Sequence, residues 1–189
     1  MFKTFVNGDT KRVTAKAPPA PVFTGIHHLK FPVTDVDASV DWFGRAFGAQ
    51  RVAKFDHRDE NGKLFAAIVQ FPGAGILAEL RLAPDAAKAV AGYDPVTFGV
   101  ADQAALDAWI SHLDGLHIAH TGKVSGFIGD VIGVPTPDGL DIRIYTDPVG
   151  GFANAQLDYA KADIHNPEIS TPLMSSDPPD APQDTQARS

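Results

Sequence analysis

The sequence predicts an α+β fold made of two consecutive β-α-β-β-β modules, and two observations lead to that prediction. The first is an internal repeat, because a shift of 67 positions carries Phe31 onto Phe98 and Trp42 onto Trp109, the only two tryptophans of the chain. The second is that each copy opens with alternating apolar residues and continues with apolar residues at helical spacing. A repeated supersecondary unit of this length indicates two modules that pack together.

The first module begins with a strand, a tight turn and an amphipathic helix. Apolar residues alternate from Leu29 to Val33, and an apolar stripe at helical spacing runs from Val36 to Phe47. Asp35 or Asp37 can cap this helix, because a short side-chain oxygen accepts a hydrogen bond from an unpaired backbone N–H. Gly48 is the expected helix end, since glycine adopts the left-handed conformation at low cost.

The remaining elements follow from alternation and turn residues. Module one spans 24–82, and its further strands are predicted at 51–57, 64–71 and 76–82, with a hairpin turn at Asp59–Gly62. A connector at 83–92 has helix potential from Pro84 to Val90. Module two spans 93–147, with a helix at 102–113 and strands at 96–100, 116–123, 127–134 and 141–146.

Both ends of the chain differ in composition from the modules. Residues 1–23 form an arm with a proline-rich linker, which we expect to be extended and loosely held. Residues 148–189 form an acidic, proline-rich tail that we expect to be largely disordered, because it carries few large apolar residues.

Composition excludes several classes of function. The net charge of −7 disfavours nucleic acid as a partner, since phosphate binding requires clustered Lys and Arg. The absence of cysteine removes disulfides, thiolate ligands and a cysteine nucleophile. No apolar stretch approaches the roughly 20 residues of a membrane-spanning helix, and the N-terminus lacks the apolar region of a secretory signal. We therefore expect a cytoplasmic protein with no membrane partner.

Two short motifs of these modules resemble those of a known family. The first module opens with H-x-x-x-x-V-x-D from His28 to Asp35, and the second closes with P-D-G-x-x-I-x-I-Y from Pro137 to Tyr145. The chain from Thr24 to Asp147 resembles the vicinal oxygen chelate superfamily, which includes glyoxalases, bleomycin resistance proteins and extradiol dioxygenases. The resemblance implies that the two modules form a curved sheet with one ligand cup, and that the protein is a homodimer.

The resemblance also implies metal-ligand positions, which this chain fills only in part. His28 and Glu79 stand at the family positions of the first module, whereas Pro95 and Arg143 occupy those of the second. Proline cannot coordinate a metal, and arginine brings a positive charge to the place of the cation. We therefore expect no cofactor, with a divalent metal as the open alternative. In that alternative a third ligand would come from one of three histidines, His57, His117 or His120.

Strand alternation predicts which side chains line the cup. They are the residues that face away from the helix on the first and last strand of each module: His28, Lys30, Glu79, Arg81, Thr97, Asp141, Arg143 and Tyr145. Such charges on a concave surface must be paired or must meet a ligand. We expect Glu79 to pair with Arg143, and the excess of positive charge indicates an anionic or carbonyl-bearing small molecule.

The leading functional hypothesis is a lyase or isomerase that moves a proton next to a carbonyl without the usual metal set. Its catalytic candidates are His28 and Glu79 as acid and base, with Arg143 and Tyr145 stabilising an enolate. Lys30, Arg81, Thr97 and Asp141 are candidate ligand-binding residues. Two alternatives stay open: a non-catalytic binder that sequesters a drug, and a metal-dependent glyoxalase or dioxygenase relative with non-standard ligands.

Overall fold

A computed structural model describes residues 20–156 of the chain. The predictions for most of the N-terminal arm and of the C-terminal tail lie outside these residues. Within them no helix is both long and apolar enough to cross a membrane.

The first module forms a five-stranded mixed sheet with one long helix on it. Strand β1 (Leu29–Val33) is followed by helix α1 (Val36–Phe47), and β1 pairs in parallel with β5 (Ile76–Leu82). Strand β4 (Leu64–Phe71) lies antiparallel to β5 and also pairs with the two short strands β2 (Gln50–Arg51) and β3 (His57–Arg58). Helix α2 (Pro84–Ala89) then leads to the second module.

The second module repeats this topology in a separate four-stranded sheet. Strand β6 (Val96–Val100) precedes helix α3 (Gln103–Gly115) and pairs in parallel with β9 (Asp141–Thr146). Strand β8 (Asp130–Pro135) pairs antiparallel to β9 and to the short β7 (Val124–Ser125). The strand order is therefore the same in both sheets, and the predicted α+β class and paired modules are confirmed.

Both long helices have an aspartate as their N-cap: Asp35, one of the two candidates for α1, and Asp102, the first residue of the helix predicted at 102–113. The Asp35 side chain accepts a hydrogen bond from the Ala38 N–H at 3.0 Å, and Asp102 accepts one from the Ala105 N–H at 2.9 Å. Helix α1 ends at Gly48, whose φ of 64° is the left-handed conformation that glycine favours. The repeat therefore extends to the caps at the start of each helix.

Three predicted strands differ from the observed ones. The strand predicted at 51–57 is interrupted by a 3-10 turn at Ala53–Phe55, which separates β2 from β3. The strand predicted at 116–123 is wrong, because Leu116 still caps helix α3 and His117 has a φ of 54°. Pairing resumes only at Val124, and the strand predicted at 127–134 lies at Asp130–Pro135.

The two modules share one hydrophobic core on the helix side of both sheets. Phe98 of β6 lies 4.9 Å from Phe71 and 6.5 Å from Phe47, measured between ring centroids. Polar contacts join the modules as well, since Asp138 accepts hydrogen bonds from both the N–H and the hydroxyl of Thr34. This packing leaves the opposite face of the first sheet to a group of charged side chains.

Candidate functional site

Glu79 is the centre of this charged group. It lies on β5, and its side chain is only 3% exposed. Arg81 donates a hydrogen bond from Nε to Oε1 at 2.6 Å, and the Lys30 ammonium lies 3.2 Å from Oε2. The parallel register of β1 and β5 places Lys30 directly beside Glu79, while Arg81 follows two residues later on the same face. A buried carboxylate is thus held between two cations.

Two histidines lie on either side of the same carboxylate. His28 Nε2 is 3.6 Å from Oε2, and His57 Nδ1 is 3.8 Å from Oε1. His28 immediately precedes β1, whereas His57 comes from β3, which pairs with β4 and is separated from β1 by β5 and β4. Their side chains are 34% and 42% exposed, so a small molecule can reach both rings.

These neighbours set the protonation state of Glu79. Burial raises the pKa of the carboxyl, but the hydrogen bonds and positive charges of Arg81 and Lys30 outweigh that effect. The pKa of Glu79 is therefore lowered from its ordinary value. An ionised carboxylate that two cations already engage is a weak general base, and it is well placed to orient the neighbouring imidazoles.

A cavity of about 540 Å³ opens beside this cluster. Its size lies within the range typical of small-molecule sites. The lining combines His28, His57 and Glu79 with the 3-10 turn between β2 and β3 and with apolar sheet residues. The other lining residues are His27, Lys54, Phe55, Asp56, Ile68 and Leu77.

The remaining predicted site residues lie on the second sheet. Arg143 Nε is 2.9 Å from Asp94 Oδ2 and 3.5 Å from Asp141 Oδ2. The predicted pair of Glu79 with Arg143 is therefore wrong, because each group has its ion-pair partners within its own module. The Tyr145 hydroxyl accepts a hydrogen bond from the Ile128 N–H at 3.4 Å, and Thr97 is exposed on β6.

Asp141 is buried, although the sequence predicts it to be a ligand-binding residue that faces an open cup. Only 6% of the residue is exposed, and among the described residues its Oδ1 has no hydrogen-bond partner. Burial raises the pKa of Asp141, although the charge of Arg143 acts in the opposite direction. Its predicted role in ligand binding, like those of Thr97, Arg143 and Tyr145, stays a prediction.

The structure separates the histidines that the sequence treats as equivalent third-ligand candidates. His57 reaches Glu79, whereas His120 bonds to Asp114 at 3.0 Å and His117 lies in the turn after α3. Strand alternation predicts that His27 faces the opposite way from His28, and the structure shows that this prediction is wrong. Both precede β1, their Nδ1 atoms are 2.8 Å apart, and both line the cavity.

The arrangement around Glu79 does not fit a divalent metal. Both carboxylate oxygens already contact cationic side chains, and the two ligand positions that the resemblance implies for the second module hold Pro95 and Arg143. Within residues 20–156, no three His, Cys, Asp or Glu side chains are grouped so as to hold a metal ion. The cluster is instead a carboxylate with cations and imidazoles around it.

Sequence reasoning missed several members of these groups. Asp94, the nearest carboxylate to Arg143, was assigned no role, because it precedes β6 and no alternation rule reaches it. The sequence pattern predicts Lys54, Phe55 and Asp56 as part of a strand and gives no sign that they line the cavity. The 3-10 turn that brings them there has no distinctive sequence signal.

Comparison with known proteins identifies the family of this chain. Residues 25–155 match the family model of the Glyoxalase/Bleomycin resistance protein/Dioxygenase superfamily. No curated protein sequence matches the chain significantly. Solved structures do share its fold, at sequence identities too low to carry more than the fold.

Three of these structures show the range of the fold. The fosfomycin resistance protein FosX from Listeria monocytogenes is 11% identical, with a TM-score of 0.55, covering 68% of this chain and 98% of its own. Lactoylglutathione lyase from Agrobacterium tumefaciens is 16% identical, with a TM-score of 0.50, covering 68% and 95%. The antibiotic binding protein TnmS3 from Streptomyces sp. CB03234 is 17% identical, with a TM-score of 0.52, covering 67% and 98%.

The family model covers most of the chain, and the module topology agrees with it. The protein therefore belongs to the Glyoxalase/Bleomycin resistance protein/Dioxygenase superfamily.

Proposed function

We propose that the protein is a lyase- or isomerase-like enzyme that transfers a proton next to the carbonyl of a small anionic molecule. The observation that carries this proposal is the buried, ionised Glu79 with two cations and two imidazoles around it at the wall of a cavity. Proton transfer next to a carbonyl needs a base, an acid and positive charge near the developing enolate oxygen. All three lie within one module.

The roles that we propose for these groups differ in part from those that the sequence predicts. Glu79 orients His28 and His57, because its own oxygens are engaged by Arg81 and Lys30. The two histidines, which are partly exposed, serve as acid and base. Lys30 and Arg81 attract the anionic substrate and stabilise the enolate, since their side chains remain 52% and 37% exposed beside the carboxylate.

Exchange of carbon-bound protons with solvent tests this reaction directly. Small oxo acids, with pyruvate as the first probe, are incubated in D₂O with the protein, and loss of the proton signal next to the carbonyl is followed by NMR. We expect exchange with wild type, and about a hundredfold slower exchange in His28→Gln and His57→Gln, the size typical of a lost general acid or base. His120→Gln, a matched substitution in the other module, should exchange normally.

A binding measurement on the same acids separates enzyme from binder. If an acid raises the melting temperature of the wild-type protein but shows no exchange, the enzyme proposal fails and the sequestering alternative is supported. The antibiotic binding protein TnmS3 shows that binders occur on this fold.

Elemental analysis of the untagged protein, purified without chelator, tests the alternative of a metal-dependent reaction. A crystal structure of FosX from Listeria monocytogenes was determined with Mn(II), so a divalent metal is a plausible cofactor on this fold. We expect no stoichiometric transition metal and no uptake of added Zn, Ni, Mn or Fe(II), because Lys30 and Arg81 repel a cation at Glu79. A stoichiometric metal that is lost in His57→Gln and kept in His120→Gln would contradict this expectation and establish His57 as a ligand.

A further inference from the structure

A second cavity, of about 570 Å³, lies between the two modules on the helix side of the sheets. It shares no lining residue with the cavity beside Glu79. Four aromatic rings contribute to its wall, Phe47 and Phe71 from module one and Phe98 and Trp109 from module two. None of the described lining residues is ionisable. Apart from the four rings, they are Ile26, Leu29, Pro72, Gly73, Ala74, Ile76, Val96, Thr97, Gly99, Val100 and Ile144.

The internal repeat explains why this space is open. In module one Phe31 is 1% exposed and stacks on Phe43 of the helix, with ring centroids 5.6 Å apart. The same shift of 67 positions replaces Phe43 by Ile110 and Phe47 by Asp114 in the second helix. Helix α3 therefore lacks the two rings that α1 supplies at these positions.

The two equivalent strands differ in burial in the same way, since the apolar side chains of β6 are more exposed than those of β1. Val33 of β1 is 1% exposed, whereas Phe98 and Val100 of β6, which correspond to Phe31 and Val33, are only partly buried. Protein interiors are normally packed without such gaps, and an apolar residue left beside a gap loses contacts. The apolar wall of β6 is thus available to an apolar ligand.

We propose that this cavity, which we call the inter-module cavity, binds a neutral, flat, apolar small molecule between the aromatic rings of the two modules. The absence of ionisable groups from its described lining selects against charged ligands, which would lose hydration without a partner. The aromatic rings favour a ring system, because offset-stacked and edge-to-face contacts add to the gain from apolar burial. The proposal is independent of the reaction proposed at Glu79.

The neutral dye N-phenyl-1-naphthylamine, which fluoresces in apolar surroundings, tests this proposal on the full chain. We expect saturable binding of one dye per chain, with quenching of tryptophan emission because Trp109 lines the cavity. Trp109→Phe should keep the dye bound and lose most of the quenching. Glu79→Gln should bind the dye as wild type does, because Glu79 lies at the other cavity.

Two filling variants and one control locate the dye. Ala74→Phe and Val96→Phe place an extra ring at the wall of the inter-module cavity, and each should weaken dye binding at least tenfold. Ala86→Phe adds the same ring at an exposed position of α2, outside both cavities, and should change the affinity less than twofold. Melting curves confirm that each variant is folded.

Three results would overturn the proposal. The first is absence of saturable dye binding to wild type. The second is equal affinity in the control and in both folded filling variants. The third is a loss of dye sites as protein concentration rises and light scattering reports association, which would show that a second copy of the chain occupies the inter-module cavity instead.

Discussion

Asp141 shows how a single side chain can act against the stability of the fold that contains it. The carboxyl is buried under Gly133, where a methyl group in place of the glycine hydrogen would lie 2.8 Å from Oδ1. Oδ1 has no hydrogen-bond partner among the described residues, and the pKa of Asp141 is raised mainly by burial. The ionised form is thus less favoured in the folded chain than in the unfolded one.

Asp141→Asn should stabilise the protein at neutral pH by about 1 kcal/mol, since it removes a buried charge whose Oδ1 has no hydrogen-bond partner among the described residues and which Arg143 offsets only in part. As pH rises past the ordinary carboxyl range, the unfolded chain loses this proton first, so the wild type loses stability until the pH exceeds the raised pKa of Asp141. The advantage of Asn should therefore be present at pH 7 and fade towards pH 3. Urea unfolding at several pH values measures it, and a variant less stable than wild type at pH 7 would contradict the assignment.

At the scale of an element, the end of helix α3 explains why residues 116–123 form no strand although their pattern predicts one. Leu116 and Ile118 alternate with polar residues as in a strand. In the structure the Ile118 N–H bonds to the Leu113 carbonyl and the His117 N–H bonds to the Asp114 carbonyl. This is the Schellman pattern, which requires a left-handed residue, and His117 takes that place with a φ of 54°.

His117→Gly should stabilise the protein by about 0.5–1 kcal/mol, because glycine adopts the left-handed conformation without the steric cost that a Cβ imposes. His117→Ala removes the same imidazole but keeps the Cβ, so it should give no such gain. Chemical unfolding of the three proteins makes the comparison. Equal stability of the glycine and alanine variants would show that backbone strain at this position is negligible.

At the scale of the whole molecule, the described residues leave apolar surface and strand edges that a second copy could cover. Val22 and Phe23 are each 94% exposed, and β1 and β6 are the end strands of their sheets. End strands present main-chain groups that favour pairing with another chain.

We therefore expect a homodimer, as the family resemblance also implies. Light scattering at tens of micromolar protein measures the mass, and a monomer of 20.1 kDa under those conditions would contradict the expectation. Val22→Ser together with Phe23→Ser should shift the equilibrium towards monomer, because the change removes two exposed apolar side chains that a second copy would cover. The exposed pair Val149 and Phe152, changed in the same way, is the matched control.

Local patterns in the sequence determined the α+β class, both long helices, Asp35 as one of two candidate caps of the first, and the strands at 64–71, 76–82, 96–100 and 141–146. They could do so because alternation, helical spacing and capping depend on residues close together in the chain. The same alternation placed His28, Lys30, Glu79 and Arg81 on one face of the first sheet.

Only the tertiary structure decided which charges meet and which surfaces stay open. Glu79 pairs with Lys30 and Arg81 rather than with Arg143 because the two modules form separate sheets, joined through the helix side. His57 lies near Glu79 because the 3-10 turn at Ala53–Phe55 lets β3 pair with the first residues of β4. Such contacts depend on how distant segments pack, and no spacing within a single segment encodes that packing.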